Sequence, residues 1–355
     1  MKETGTFNYA DERFADLQML RYRLPQFEKF SLQQKKYIYY LSQATLCGRD
    51  ITTDQFGKYN LRIRKTLETL YTELDERADK ENYDKLALYL KRVWFSNGIY
   101  HHYANDKIRP DFSETFFRDA VNQMPVEKLP MNGYNSVEEL CDELCPVMFD
   151  PEILPKRVNK ADGVDLVKTS ACNYYEGVSQ QEVEDFYNEK KAAAGDKSPS
   201  WGLNSKLVRG DKGLEEKVWK ENGAYGEAIR HIIYWLDKAK GVAENQQQQR
   251  VIDLLIGYYR TGDLHLFDEY SIEWLKEQAG NVDFINGFIE VYGDPLGIKA
   301  SWEGIVEYKD LEATRRTRLI SDNAQWFEDH SPVDSRFKKA EVRGVTANVV
   351  CAAML

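Results

Sequence analysis

DFINGFIEVYGDPLGIKASWEGIVEY, running from Asp283 to Tyr308, alternates apolar with polar residues twice and turns once between. Phe284 to Tyr292 and Ala300 to Tyr308 read as two strands, because successive side chains of a strand point to opposite faces. Gly293-Asp-Pro-Leu-Gly297 supplies turn chemistry between them, which predicts a hairpin. On the first strand Phe288, Glu290 and Tyr292 share one face, and Ile289 and Val291 share the other. With the apolar face in a core, Glu290 and Tyr292 would point together into solvent or a cleft. Trp302 and Glu303 fall on opposite faces of the second strand in the same way.

Upstream, the chain reads as helices. Ser31-Leu-Gln-Gln34 is a capping-box pattern opening a helix that stops near Gly48. Asp54 to Leu74 carries Phe56, Ile63, Leu67, Leu70 and Leu74 at helical spacing, and Asp79 to Ser96 repeats the pattern. Ser136-Val-Glu-Glu139 and Ser179-Gln-Gln-Glu182 are two further capping boxes, the second opening a helix that ends at Gly195. Pro146 to Pro155 and Ala192 to Ser200 read as loops. The run Gln246 to Gln249 reads as the polar face of a helix start, and Val251 to Tyr259 as a buried helix stopping at Gly262. Downstream of the hairpin, a charged helix is expected from Asp310 to about Asp329. The closing VTANVVCAAML reads as a buried strand, so the natural protein is expected to continue past Leu355. The class is therefore α+β, mostly helical with a strand hairpin.

Composition narrows the partners. The 355 residues carry a net charge of −10 and no basic tract, which argues against nucleic acid, since phosphate binding needs concentrated positive charge. Five cysteines, an odd and sparse number, argue against a disulfide framework and for a cytoplasmic, reducing compartment. No apolar run approaches the ~20 residues that span a bilayer, so no membrane partner is expected. The start MKETGTFNYADE lacks a signal-like apolar core, although a leader could have been removed. Oligomeric state has no sequence signature here.

Catalytic apparatus is not legible in this chain. His101, His102, His231, His265 and His330 include no HExxH arrangement, and the adjacent pair would point in different directions. Cys141 and Cys145 share a helix face, but Leu140, Leu144 and Met148 around them favour core thiols over metal ligands. There is no GxSxG elbow and no Gly-rich phosphate loop. The carboxylates are the strongest local signal. Glu290 and Glu303 on adjacent strands, near Tyr292 and Asp294, could pair with a protonated amine in a cleft. The plainer alternative is a set of solvated hairpin charges with Asp294 as a turn residue.

Gly287 to Gly304 resembles the motif GFIExYxDPxGxxxxxEG of the dipeptidyl peptidase III family, zinc exopeptidases of peptidase family M49. WFSNGIYHHYANDKIRP (Trp94 to Pro110), NYYEG (Asn173 to Gly177) and GLNSKLV (Gly202 to Val208) are similar to that family too, in the manner of its Bacteroides-type members. The resemblance implies that Glu290 and Tyr292 hold the amino-terminal end of a bound peptide, with Glu303 in the same subsite. It implies short peptide substrates of the tri- to octapeptide class. It implies zinc in the full-length enzyme, held by an HExxGH helix and a later EExRAE-like motif. Neither motif occurs in these residues, so no zinc ligand and no catalytic residue is assigned, and the chain by itself is expected to be inactive. The layout the resemblance implies has residues 1–310 as a lower-lobe-like domain of a two-lobed α+β fold, mostly helical with a small β-barrel or sheet core. Residues 311–344 would start a helical upper lobe, and 345–355 would be a cut-off strand returning to the lower one. The chain is thus expected to be the N-terminal part of a zinc-dependent dipeptidyl peptidase that anchors the peptide amino terminus. The alternative is a non-catalytic peptide-binding or interaction protein lacking the zinc lobe.

Overall fold

Local sequence sets where the helices begin. The computed structural model describes residues 7–344 and 348–354. After a short antiparallel hairpin, β1 (Ala10–Phe14) and β2 (Leu17–Leu20), helix α1 (Leu32–Leu46) opens on the expected reciprocal cap. Ser31 Oγ accepts from the Gln34 amide at 3.2 Å, and Gln34 Oε1 accepts from the Ser31 amide at 2.9 Å. The helix expected over Asp54 to Leu74 is two helices, α2 (Arg49–Gln55) and α3 (Asn60–Glu73). The chain turns at Gly57, whose carbonyl accepts from the Asn60 amide at 2.9 Å. Helix α4 (Lys80–Ser96) is capped by Asp79 and ends on Asn97 in the left-handed conformation.

Helix α5 (Glu114–Asn122) is followed by α6 (Val137–Phe149). Ser136 caps α6, but the Glu139 carboxylate takes the amide of Asn135, one residue earlier than the capping box requires. The loop expected from Pro146 begins only at Asp150, because α6 runs through Pro146. A proline in the last turn removes a single helical donor, and the Asp150 amide still closes the turn on the Pro146 carbonyl at 3.1 Å.

Strand β3 (Tyr175–Glu176), helix α7 (Gln180–Ala194) and strands β4 (Ser205–Gly210) and β5 (Gly213–Val218) come next, the strands forming one sheet in the order β3-β4-β5. Helices α8 (Gly226–Lys240), α9 (Gln246–Thr261) and α10 (Leu264–Lys276) lead into the hairpin of β6 (Val282–Glu290) and β7 (Ser301–Lys309). The Gln246–Gln249 run does start α9, yet Gln248 is buried: its amide donates to the Val282 carbonyl at 3.0 Å, tying α9 to β6. The charged helix breaks at Asn323 into α11 (Leu311–Asp322) and α12 (Ala324–His330). Of the expected closing strand, Val350–Met354 forms β8, antiparallel on β7, while 345–347 and Leu355 lie outside the described residues.

Among the described residues the strands form open sheets of two, three and three strands. The barrel expected as one form of the β core is absent from them, and the small-sheet form is what is found. The hairpin β6–β7 packs on α1, α8 and α9 in the largest apolar cluster, with Tyr37, Leu41, Ile232, Leu255 and Phe288 inside. A second cluster joins α3 to α6 and contains Cys141 and Cys145 as buried core thiols. A third, around Val183, Tyr187 and Leu207, supports the connection between β6 and β7 through Leu296 and Ile298.

Candidate functional site

The hairpin pairs Phe288 with Trp302 and Gly287 with Glu303, and its register shifts between Phe288 and Glu290. That bulge corrects the simple alternation. Phe288 is fully buried against Trp219 and Tyr259, whereas Glu290, two residues on, is exposed. Strand β6 ends there, so Tyr292 stands in the following turn rather than on a strand, 80 % exposed.

Helix α2 fixes where β7 starts. The Gln55 side chain is completely buried and acts as a short strand would. Its amide donates to the Ala300 carbonyl at 3.0 Å, and its Oε1 accepts from the Trp302 amide at 2.8 Å. Thr52 Oγ1 donates to the Trp302 carbonyl at 3.1 Å. On the other strand, Ser301 Oγ donates to the Glu290 carbonyl at 2.9 Å. The Trp302 indole donates to the Tyr259 hydroxyl at 3.0 Å, which donates to Asn286 Oδ1 at 2.5 Å. Glu303 is thereby placed from several sides.

Glu290 and Glu303 meet electrostatically. Burial, and then the negative charge of Glu290, raise the Glu303 carboxyl above the ordinary glutamate range. Two carboxylates that repel one another favour a cation between them. Glu303 also lines a cavity of about 270 Å³ with Thr45, Arg49, Asn97, Trp302 and Met354. Arg49 and Asn97 belong as well to an adjoining hollow of about 560 Å³ that reaches Asp50, Arg64, Glu68 and Trp94. In that second hollow the charges are largely matched: Arg64 pairs with Asp50 and Glu68, and the Trp94 indole donates to Glu68 at 2.8 Å.

Asp294 takes a different part from the three candidates. It is 1 % exposed, and its carboxylate accepts from the amides of Leu296 (3.2 Å), Ile298 (2.8 Å) and Lys299 (2.8 Å) and from the Tyr175 hydroxyl (2.7 Å). Burial raises its pKa and these donors partly offset that. Asp294 therefore closes the turn, with Gly297 in the left-handed region at φ 68°. Sequence reading missed Gln55 and Arg49, which have no motif of their own, and gave no role to Asn97, although it lies in the quoted stretch Trp94 to Pro110. It also missed Lys299, which composition places in a turn and the structure seals completely.

The histidines do not converge with other ligands. The His101 and His102 rings stack at 4.4 Å, and His101 Nδ1 accepts from the amides of Tyr103 and Ala104. Among the described residues no group of three or more His, Cys, Asp or Glu side chains could hold a metal ion, so these residues do not fit a zinc site. No helix among them is long and apolar enough to cross a membrane.

The chain thus sets a carboxylate-bearing hairpin among helices and small sheets, with Glu303 lining a cavity. Residues 179–344 match the model of peptidase family M49. The chain's curated relatives are dipeptidyl peptidases 3. That of Dictyostelium discoideum is 23 % identical over 350 residues, covering 90 % of this chain and 48 % of its own length. The Homo sapiens protein is 20 % identical over 345 residues, covering 88 % and 46 %. The chain thus spans about half the length of the curated relatives it matches. In fold it is similar to DPP III from Caldithrix abyssi, with a TM-score of 0.62 at 17 % identity over 92 % of this chain and 49 % of that one. Dipeptidyl-peptidase III from Corallococcus sp. strain EGB gives 0.57 at 15 % identity over 93 % and 49 %.

Proposed function

We propose that this chain is the substrate-anchoring part of a zinc-dependent dipeptidyl peptidase, and that Glu290 and Glu303 together hold the protonated amino terminus of a short peptide. The observation that carries the reading is the electrostatic coupling of Glu303, which lines a cavity, to Glu290. An ammonium between them satisfies both and removes their repulsion. Tyr292, exposed on the adjoining turn, is placed to donate to a peptide carbonyl. The match to peptidase family M49 and the likeness to dipeptidyl peptidases 3 support tri- to octapeptide substrates and a cytoplasmic setting.

In this reading residues 1–310 make a lower lobe, 311–344 begin an upper one, and 345–355 return to the lower. The zinc ligands and the base that would activate a metal-bound water belong to the part of the longer relatives that this chain does not match. The residues here bind and orient the peptide, and no bond-breaking step is assigned to them.

Calorimetric titration of the chain with a tetrapeptide tests this. Glu290→Gln or Glu303→Gln should weaken binding about 10- to 100-fold, the loss of one charge-assisted hydrogen bond. Affinity should fall on the acid side as Glu303, with its raised pKa, takes up a proton. It should fall again above about pH 8 as the peptide amine loses its own. An N-acetylated tetrapeptide that binds as tightly as the free one overturns the reading.

A further inference from the structure

Among the described residues Lys299 is the most completely buried cation, with no exposed surface at all. Its ammonium donates to the Tyr187 hydroxyl of α7 and, at 3.1 Å, to Ser205 Oγ of β4. It lies 4.5 Å from the Tyr187 ring centroid and 5.8 Å from that of Tyr175. Behind these stands Glu216 of β5, which accepts from Tyr187 at 2.8 Å, from Ser205 at 2.6 Å and from Lys190 of α7. Burial pushes Glu216 up, but Lys190, Ser205, the charge of Lys299 and Tyr187 outweigh it and leave it below the usual range. The connection from Val291 to Ala300 is therefore pinned twice: internally by Asp294, and to the neighbouring sheet by Lys299. Its two ends are the residues next to Glu290 and Ser301.

We propose that Lys299 is a positioning residue for the peptide-anchoring pair, fastening the 291–300 connection to α7, β4 and β5 so that Glu290 and Glu303 stand at a fixed separation. The role rests on the anchoring function argued above. The groups facing Lys299 are Tyr187 and Lys190 from α7, Glu216 from β5, Tyr175 from β3 and Asp294 from its own turn. Two cations and two carboxylates balance while Lys299 is protonated. Burial pushes the Lys299 ammonium down to about 7, against the attraction of Glu216 and Asp294. As pH rises through that value the buried cation gives up its proton while an opened, solvated Lys299 would keep it, so the closed connection gains on the opened one. The sign is the same for global stability. Burying the cation opposes folding in full below about pH 7, and that opposition fades as pH climbs toward the ordinary lysine range.

The test is amide hydrogen exchange of Ile298 and Lys299 in the 355-residue chain, from about pH 6 to about pH 9 and corrected for intrinsic rates. Wild type should gain about tenfold in protection across the range, because an opened connection takes back the proton that the buried Lys299 has lost. Lys299→Met should start from the lower protection and show no step. Tyr187→Phe, which keeps the ring and removes only the hydroxyl, serves as the second variant and should bind a free-amine tetrapeptide about tenfold more weakly. Lys299→Arg, which does not titrate here, should keep the fastening across the whole range. Protection that is flat with pH in wild type and unchanged in Tyr187→Phe overturns the proposal, and so does a slackened turn with undiminished peptide affinity. Normal exchange behaviour with no peptide binding by wild type would instead remove the anchoring function and leave the fastening in place.

Discussion

A single hydrogen at Gly48 leaves room for the Trp302 indole, which lies across the corner between α1 and α2. A Cβ built at Gly48 would stand 2.2 Å from the indole, too close for any real contact, although the backbone there is ordinary helix. Gly48→Ala should therefore destabilise the chain by about 1–3 kcal/mol through overpacking alone. Urea denaturation checks it, and a midpoint equal to wild type would show that the indole has another place to go. Position 48 reads from sequence as a helix stop, which it is, but the indole it accommodates lies about 250 residues further along the chain. Lys299 is hidden for a related reason. A lysine just past the Gly293–Gly297 turn, between Ile298 and Ala300, reads as solvent-facing, and only the assembled α7, β4 and β5 supply the hydroxyls and carboxylate that let it be buried.

At the level of elements, α2 holds β7 through side chains. Gln55→Ala leaves the Ala300 carbonyl and the Trp302 amide without their partner, at about 1–3 kcal/mol for each buried group. Since that contact also sets Glu303, the same variant should weaken free-amine peptide binding. Ser31→Ala, which removes only the α1 cap, should cost about 0.5–2 kcal/mol and leave peptide affinity unchanged. Denaturation and titration of both variants separate support of the site from general stability, and equal effects on affinity would contradict this division. The hairpin itself was legible, because period-two alternation around a Gly/Asp/Pro turn has few other solutions. Its bulge was not: an extra residue leaves no mark in the pattern, so Phe288 and Glu290 carry the same parity and opposite environments. The run of α6 through Pro146 was likewise hidden, since a proline reads as a break wherever in the helix it stands.

For the whole molecule, the apolar residues divide into one large cluster around the β6–β7 hairpin and another among α3 to α6, with α2 between them. Clusters of this kind open with separate free energies. Leu144→Ala in the second cluster and Ile232→Ala in the first should each cost about 2–5 kcal/mol. Guanidinium unfolding followed by residue-resolved exchange should show each variant loosening its own cluster first. A single transition shifted alike by both would mean that the chain unfolds as one unit. Helical predominance could be read from spacing, but the partition of the core could not, because it depends on which helices face one another. The contact between α2 and β7 also bears on how this sequence can drift. A strand supports its neighbour through the backbone, whereas the support given by Gln55 depends on one amide of one length. Part of the hairpin's mutational fragility is thus lodged outside it, in a single codon of a helix that carries no part of the motif.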